Sequence, residues 1–158
     1  MTWLDDWAAA ESRRLKDEQS ERDEERRRKE DIADQGLSLW GDLQYWMQKG
    51  VERINNTPIL HEKAGSNISY AELSMTSFEV RNVGYPRTIL TVSRNGLYFK
   101  VNWIVIQSGE MGRGKVPGED EVLTLDLDER DNLFVRSSKG DVLVREAVAE
   151  YLLHRFLI

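Results

Sequence analysis

The chain has 158 residues, of which 32% are charged and 40% hydrophobic, with a formal net charge of −6 and no cysteine. That length suits one domain with an appendage, and the missing cysteines exclude disulfides, thiolate metal sites and cysteine nucleophiles. The acidic balance weighs against sequence-independent binding to nucleic acid or anionic lipid, both of which need a basic face.

Trp3 and Trp7 stand four apart and share a face of a helix that Ala8, Ala9 and Ala10 favour. Asp5 and Asp6 interrupt this early apolar cluster, so no secretory run follows Met1. No stretch approaches the ~20 apolar residues of a membrane span, and a soluble, cytoplasmic protein is expected. From Glu11 to Asp31 nine acids balance eight bases, and Leu15 is the one large apolar side chain. Acid-first pairs recur at helical spacing, such as Glu18 with Arg22, Asp23 with Arg27, Glu24 with Arg28 and Glu25 with Lys29. Each contributes about 0.2–0.5 kcal/mol. The run reads as a solvated helix about 30 Å long at ~1.5 Å per residue. With Leu4 at a core position, the next core positions are Ala8, Glu11, Leu15, Glu18 and Arg22. The apolar seam ends at Leu15, so a long dimeric coiled coil is not expected.

Asp34-Gln35-Gly36 is read as a break or kink. It divides a charged helical arm, 1–34, from a compact α+β domain, 35–158. Trp40, Leu43, Met47, Val51 and Ile54 then recur at spacings of three and four, a second, amphipathic helix over about 37–55. Asn55-Asn56-Thr57-Pro58 stops it. Residues 58–75 are read as an irregular connection with a short helical turn around Tyr70 to Leu73. Two sequons, at Asn55 and Asn67, carry no weight in a protein expected to stay inside the cell.

About five antiparallel strands follow. Phe78 and Val80 mark the first. Strands 87–94 and 97–106 are joined by Asn95-Gly96, the sequence of a type I′ turn. A glycine-rich loop spans 108–119, and strands 122–127 and 133–136 form a second hairpin. After Gly140-Asp141 a C-terminal helix over 144–156 carries the stripe Ala147, Val148, Tyr151, Leu152 and Phe156. The expected architecture is helices packed on one face of an antiparallel sheet.

Candidate chemistry is sparse. Residues 109–116 match the phosphate-binding pattern G-x4-G-K-[S/T] until the last position, where Val116 replaces the hydroxyl that would hold magnesium. Pro117 and Gly118 follow where a helix should start. Arg113 and Lys115 remain candidates for contact with an anion or an acidic partner. Asp126 to Asn132 lacks the glycine and glutamate of a calcium loop and reads as a polar turn. His61 and His154 lie far apart in sequence with no metal-pair spacing, and no serine sits in a nucleophile elbow. No catalytic residue, cofactor or metal is assigned.

The tryptophans carry more. Trp40 and Trp103 read as core, while Trp46 lies off the main stripe and could face a partner. Trp3, Leu4 and Trp7 are separated from any core by the charged run. Burying each Trp is worth on the order of 1.5–3 kcal/mol or more, so they are expected to dock on the body, a second copy or another protein. The leading functional reading is a non-catalytic interaction or self-association module using the arm, with Trp3, Leu4, Trp7 and Trp46 as partner-binding residues. The alternative is a small-ligand or anion-binding α+β domain, or a minor enzyme, with loop 108–119 as a lid.

Overall fold

The computed structural model describes residues 2–106 and 115–158, the side chains of 115–117 excepted. It opens with one helix where the sequence suggests two: α1 runs unbroken from Thr2–Asn56. At ~1.5 Å per residue it is about 80 Å long. The expected break at Asp34-Gln35-Gly36 is instead where α1 fastens to the sheet. The Gln35 amide donates to the Asp131 carbonyl at 2.9 Å and accepts from the Leu133 amide at 3.2 Å. Gly36 is buried, and a Cβ there would stand 2.7 Å from Leu125 Cδ1. The glycine serves close approach, and its helical cost of about 1 kcal/mol is offset by the packing it permits.

Thr57-Pro58 ends α1 as expected. Pro58, at the first position of α2 (Pro58–Ala64), loses no helical hydrogen bond there. The sheet is a seven-stranded antiparallel meander in sequential order: β1 (Ile68–Ser74), β2 (Ser77–Asn82), β3 (Arg87–Arg94), β4 (Tyr98–Ile106), β5 (Lys115–Leu127), β6 (Leu133–Arg136) and β7 (Val142–Leu143). Two strands exceed the expected five. β1 occupies what reads as an irregular connection, because pairing such as Tyr70 with Val80 decides it and its polar positions face water. β7 has only two residues and pairs with Val135 and Arg136.

The β3–β4 turn also differs. Neither Asn95 nor Gly96 is left-handed, and the Asn95 amide bonds the Tyr98 carbonyl at 2.8 Å. The reversal is therefore centred one residue later, on Gly96-Leu97, and is not of type I′. β5 begins at Lys115, so residues 115–119 are strand and not loop. A register shift between Trp103 and Val105 accompanies Gly118, where a Cβ would collide with the Trp103 carbonyl.

Alternation along the strands puts Phe78, Val80, Leu90, Val92, Phe99, Val101, Leu123 and Val135 on one fully buried face. α1 covers it with Leu39, Trp40, Leu43, Met47, Val51 and Ile54. Trp40 lies between Phe78 and Phe99, ring centroids 5.2 and 5.3 Å away. The C-terminal helix is shorter than 144–156: α3 (Ala147–Leu153) passes into a 3₁₀ turn, His154–Leu157. It packs against α1, where a Cβ on Gly50 would meet Leu153, and reaches the sheet through Phe156 beside Trp103. The class is α+β, with the helices on one sheet face.

Candidate functional site

The first buried residue of α1 is Ile32, and the first that bonds the body is Arg28. Its guanidinium donates to Asp126 Oδ1 at 2.8 Å and to the Leu127 carbonyl at 2.9 Å. Desolvation pushes the Asp126 carboxyl up, but the Arg28 and Leu127 bonds outweigh it and hold the group below its usual range. From Thr2 to Arg27 the helix stands clear of the sheet, about 40 Å of bare arm.

Within the arm, ion pairing follows spacings of three more than four. Arg14 bridges Glu11 and Glu18, Arg26 pairs with Asp23 and Arg27 with Glu24, while Lys29 takes Glu25 at 3.9 Å. Pairing of Glu24 with Arg27 frees Arg28 for the body. Glu11 and Glu24 are held below the usual carboxylate range by their arginine hydrogen bonds. Asp5, Glu21 and Arg22 form no ion pair among the described residues.

The arm tip is apolar and open. Trp3 is 66% exposed, Trp7 64%, Leu15 54% and Leu4 38%. Among the described residues the tip makes no contact with the body of the same chain, one of the three expected options, because the unbroken helix carries the tip away. Trp3, Leu4, Trp7 and Leu15 lie 36 residues before Leu39, Trp40, Leu43 and Val51. At 3.6 residues per turn that is ten whole turns, so tip and core stripe share one face of α1. Trp46 belongs elsewhere: it is half-buried on the body, against the core.

A second feature is a groove of about 1000 Å³ between β5, α3 and the β6–β7 turn. The Tyr151 hydroxyl donates to Glu121 at 2.5 Å, and Arg155 bonds Glu119 at 2.9 Å while lying 4.6 Å over the Trp103 ring. Desolvation, then the Glu121 bond, pushes the Tyr151 hydroxyl up to about 12. Glu119, Asp120, Glu121 and Glu150 face Lys139 and Arg155 in the lining, a poor setting for an anion.

Arg113 and the loop segment 107–114 lie outside the described residues, and of Lys115 only the backbone is described, as the start of β5. His61 bonds Asn67 at 2.8 Å and His154 lines the groove, so the two stay apart. The Asp126–Asn132 segment is a self-sufficient turn: Asp128 Oδ1 accepts from the amides of Arg130 and Asn132 at 2.8 and 2.9 Å, with Asp131 left-handed. Among the described residues no group of three or more His, Asp or Glu is placed to hold a metal ion, and no helix is long and apolar enough to cross a membrane. No known family, curated protein or solved structure matches the chain. The groove's Tyr151–Glu121 and Arg155–Trp103 contacts escape sequence reading because they join segments about 30 and 50 residues apart.

Proposed function

We propose that the protein is a non-catalytic interaction module, with the free arm of α1 as its docking element. One observation carries the reading: two tryptophans and two leucines stand exposed on a single face of the arm, roughly 25 to 45 Å along the helix from Ile32, and no described residue of their own chain covers them. A lone solvated helix gains little from its surface ion pairs, so another chain that covers the tip supplies the missing burial. Trp and Leu anchors at helical spacing suit a helix laid against an apolar groove or a second helix. Trp46, beside the core, is at most a secondary contact.

The test is a photo-reactive amino acid at Leu4 of the full chain in living cells, with Ala9, on the opposite helix face, as control. A discrete cross-linked species at position 4, to a copy of itself or to another protein, is expected. Equal, diffuse labelling at positions 4 and 9 would refute the reading.

The small-ligand alternative rests on the groove at Trp103 and Tyr151. Its acidic lining favours a cationic ligand over a phosphorylated one, which a thermal-shift comparison of the two classes checks. A shift with neither class removes the alternative.

A further inference from the structure

We infer that the chain covering the arm is a second copy of this protein, with the two arms antiparallel and residues i and j facing where i and j sum to about 33. The inference rests on the docking role of the arm and names its occupant. Three features lead to it.

The first is charge. The open face of the arm runs through Leu4, Ala8, Glu11, Leu15, Glu18 and Arg22 to Glu25 and Lys29. In a parallel pair these positions meet themselves, Glu11 on Glu11 and Arg22 on Arg22, and repel. Reversing one helix in this register sets Glu11 against Arg22, with Asp5 against Arg26 and Arg14 against Glu21 along the flanks. By symmetry each pair occurs twice. Asp5, Glu21 and Arg22 are the arm charges involved that form no ion pair among the described residues. Trp7 falls beside Arg28, within reach of a cation–π contact.

The second is length. The seam is open only to Lys29, because from Ile32 onward the same face of α1 is buried under its own sheet. A register one heptad longer drives the incoming tip into that buried face. One heptad shorter sets Arg14 against Arg14 and loses the Glu11–Arg22, Asp5–Arg26 and Arg14–Glu21 pairs. In the proposed register Trp3 lies level with Glu30, and each tip stops where the other body begins.

The third is the stop itself. The end of the body that meets the incoming helix N-terminus is the β5–β6 turn, with Asp128, Glu129 and Asp131 exposed. The amino end of a helix carries the positive pole of its dipole, so these carboxylates favour it. The polar seam that defeats a parallel coiled coil is thus complementary to its own reverse.

The test is pulsed dipolar EPR on the full chain, which has no native cysteine, carrying a nitroxide at Asp17→Cys or, separately, at Glu30→Cys. Position 17 lies near the two-fold axis and gives a distance near 20 Å, while position 30 gives roughly 40 Å of axial offset at ~1.5 Å per residue. Short distances at both sites would mean parallel arms, and about 60 Å at position 30 would mean a tip-only overlap. Either result overturns the inference, as does the absence of dipolar coupling in concentrated protein. In that last case a cross-link from Leu4 to a different protein would still uphold the arm as a docking element. Arg22→Glu should weaken the dimer about tenfold, and adding Glu11→Arg should restore it. Loss without restoration would contradict the pairing.

Discussion

Three glycines of α1 make a controlled experiment on how the helix meets the sheet. Gly36 and Gly41 are both interior to α1, so Ala at either adds about 1 kcal/mol of helix propensity. Gly41 is exposed with nothing within 4 Å of its missing Cβ, and Gly41→Ala should realise that gain. At Gly36 the new methyl would stand 2.7 Å from Leu125 Cδ1, in a core where Leu125 is 3% exposed. Overpacking costs about 1–3 kcal/mol, which cancels or exceeds the propensity gain. The two variants should therefore differ by about 1–3 kcal/mol, or roughly 2–12 °C in Tm at this size. Urea and thermal unfolding of both, with Gly50→Ala as a second contact glycine against Leu153, measure the difference. If Gly36→Ala stabilised the protein as much as Gly41→Ala, Gly36 would not be a packing glycine and the account of α1 as one helix clamped at that point would fail.

The tryptophans should separate in the same unfolding assay. Trp3→Ala and Trp7→Ala in dilute protein should change stability by no more than about 0.5 kcal/mol, whereas Trp40→Ala, stripped from between Phe78 and Phe99, should cost about 3–5 kcal/mol. A large loss from Trp3→Ala in the monomer would mean that the tip packs on its own body. In alkali, Tyr70 and Tyr151 should ionise late, both pushed up to about 12 mainly by desolvation. Their folded values exceed the ordinary 10.0, so the stability they contribute is intact below pH 10 and is lost as pH rises towards 12. Tyrosinate absorbance should show two late groups, and Tyr151→Phe should remove one. A Tyr151 that titrated near 10 would contradict the part-buried hydrogen bond to Glu121.

The elements that sequence reading recovers are those whose pattern is local and long. Trp40, Leu43, Met47, Val51 and Ile54 repeat at helical spacing over four turns, and β3 and β4 alternate over eight and nine residues. What it misses is decided by tertiary contact. Asp34-Gln35-Gly36 has the composition of a break, yet Gln35 and Gly36 are there for the β5–β6 turn and Leu125. β1 offers Ile68 and Tyr70 in alternation, but its outward residues look like loop until β2 supplies the partner. Asn95-Gly96 marks the right hairpin and the wrong turn, since the register set by Arg94 and Phe99 places the reversal one residue on. At the arm, the charged run and its apolar tip are plain in the sequence. That the tip shares a face with the core stripe needs the unbroken helix, which the suspected break at Gly36 concealed.

The claim at the centre is that the tip of α1 is covered by a second copy of this chain while Trp40 and Trp103 hold the core. Fluorine NMR of the full chain with fluorinated tryptophan, followed as protein concentration rises, reads all of these residues at once. The Trp3 and Trp7 resonances should move together from a solvent-exposed to a buried position, with Trp40 and Trp103 unchanged. Trp3 and Trp7 resonances that keep their exposed position across the whole range would contradict it.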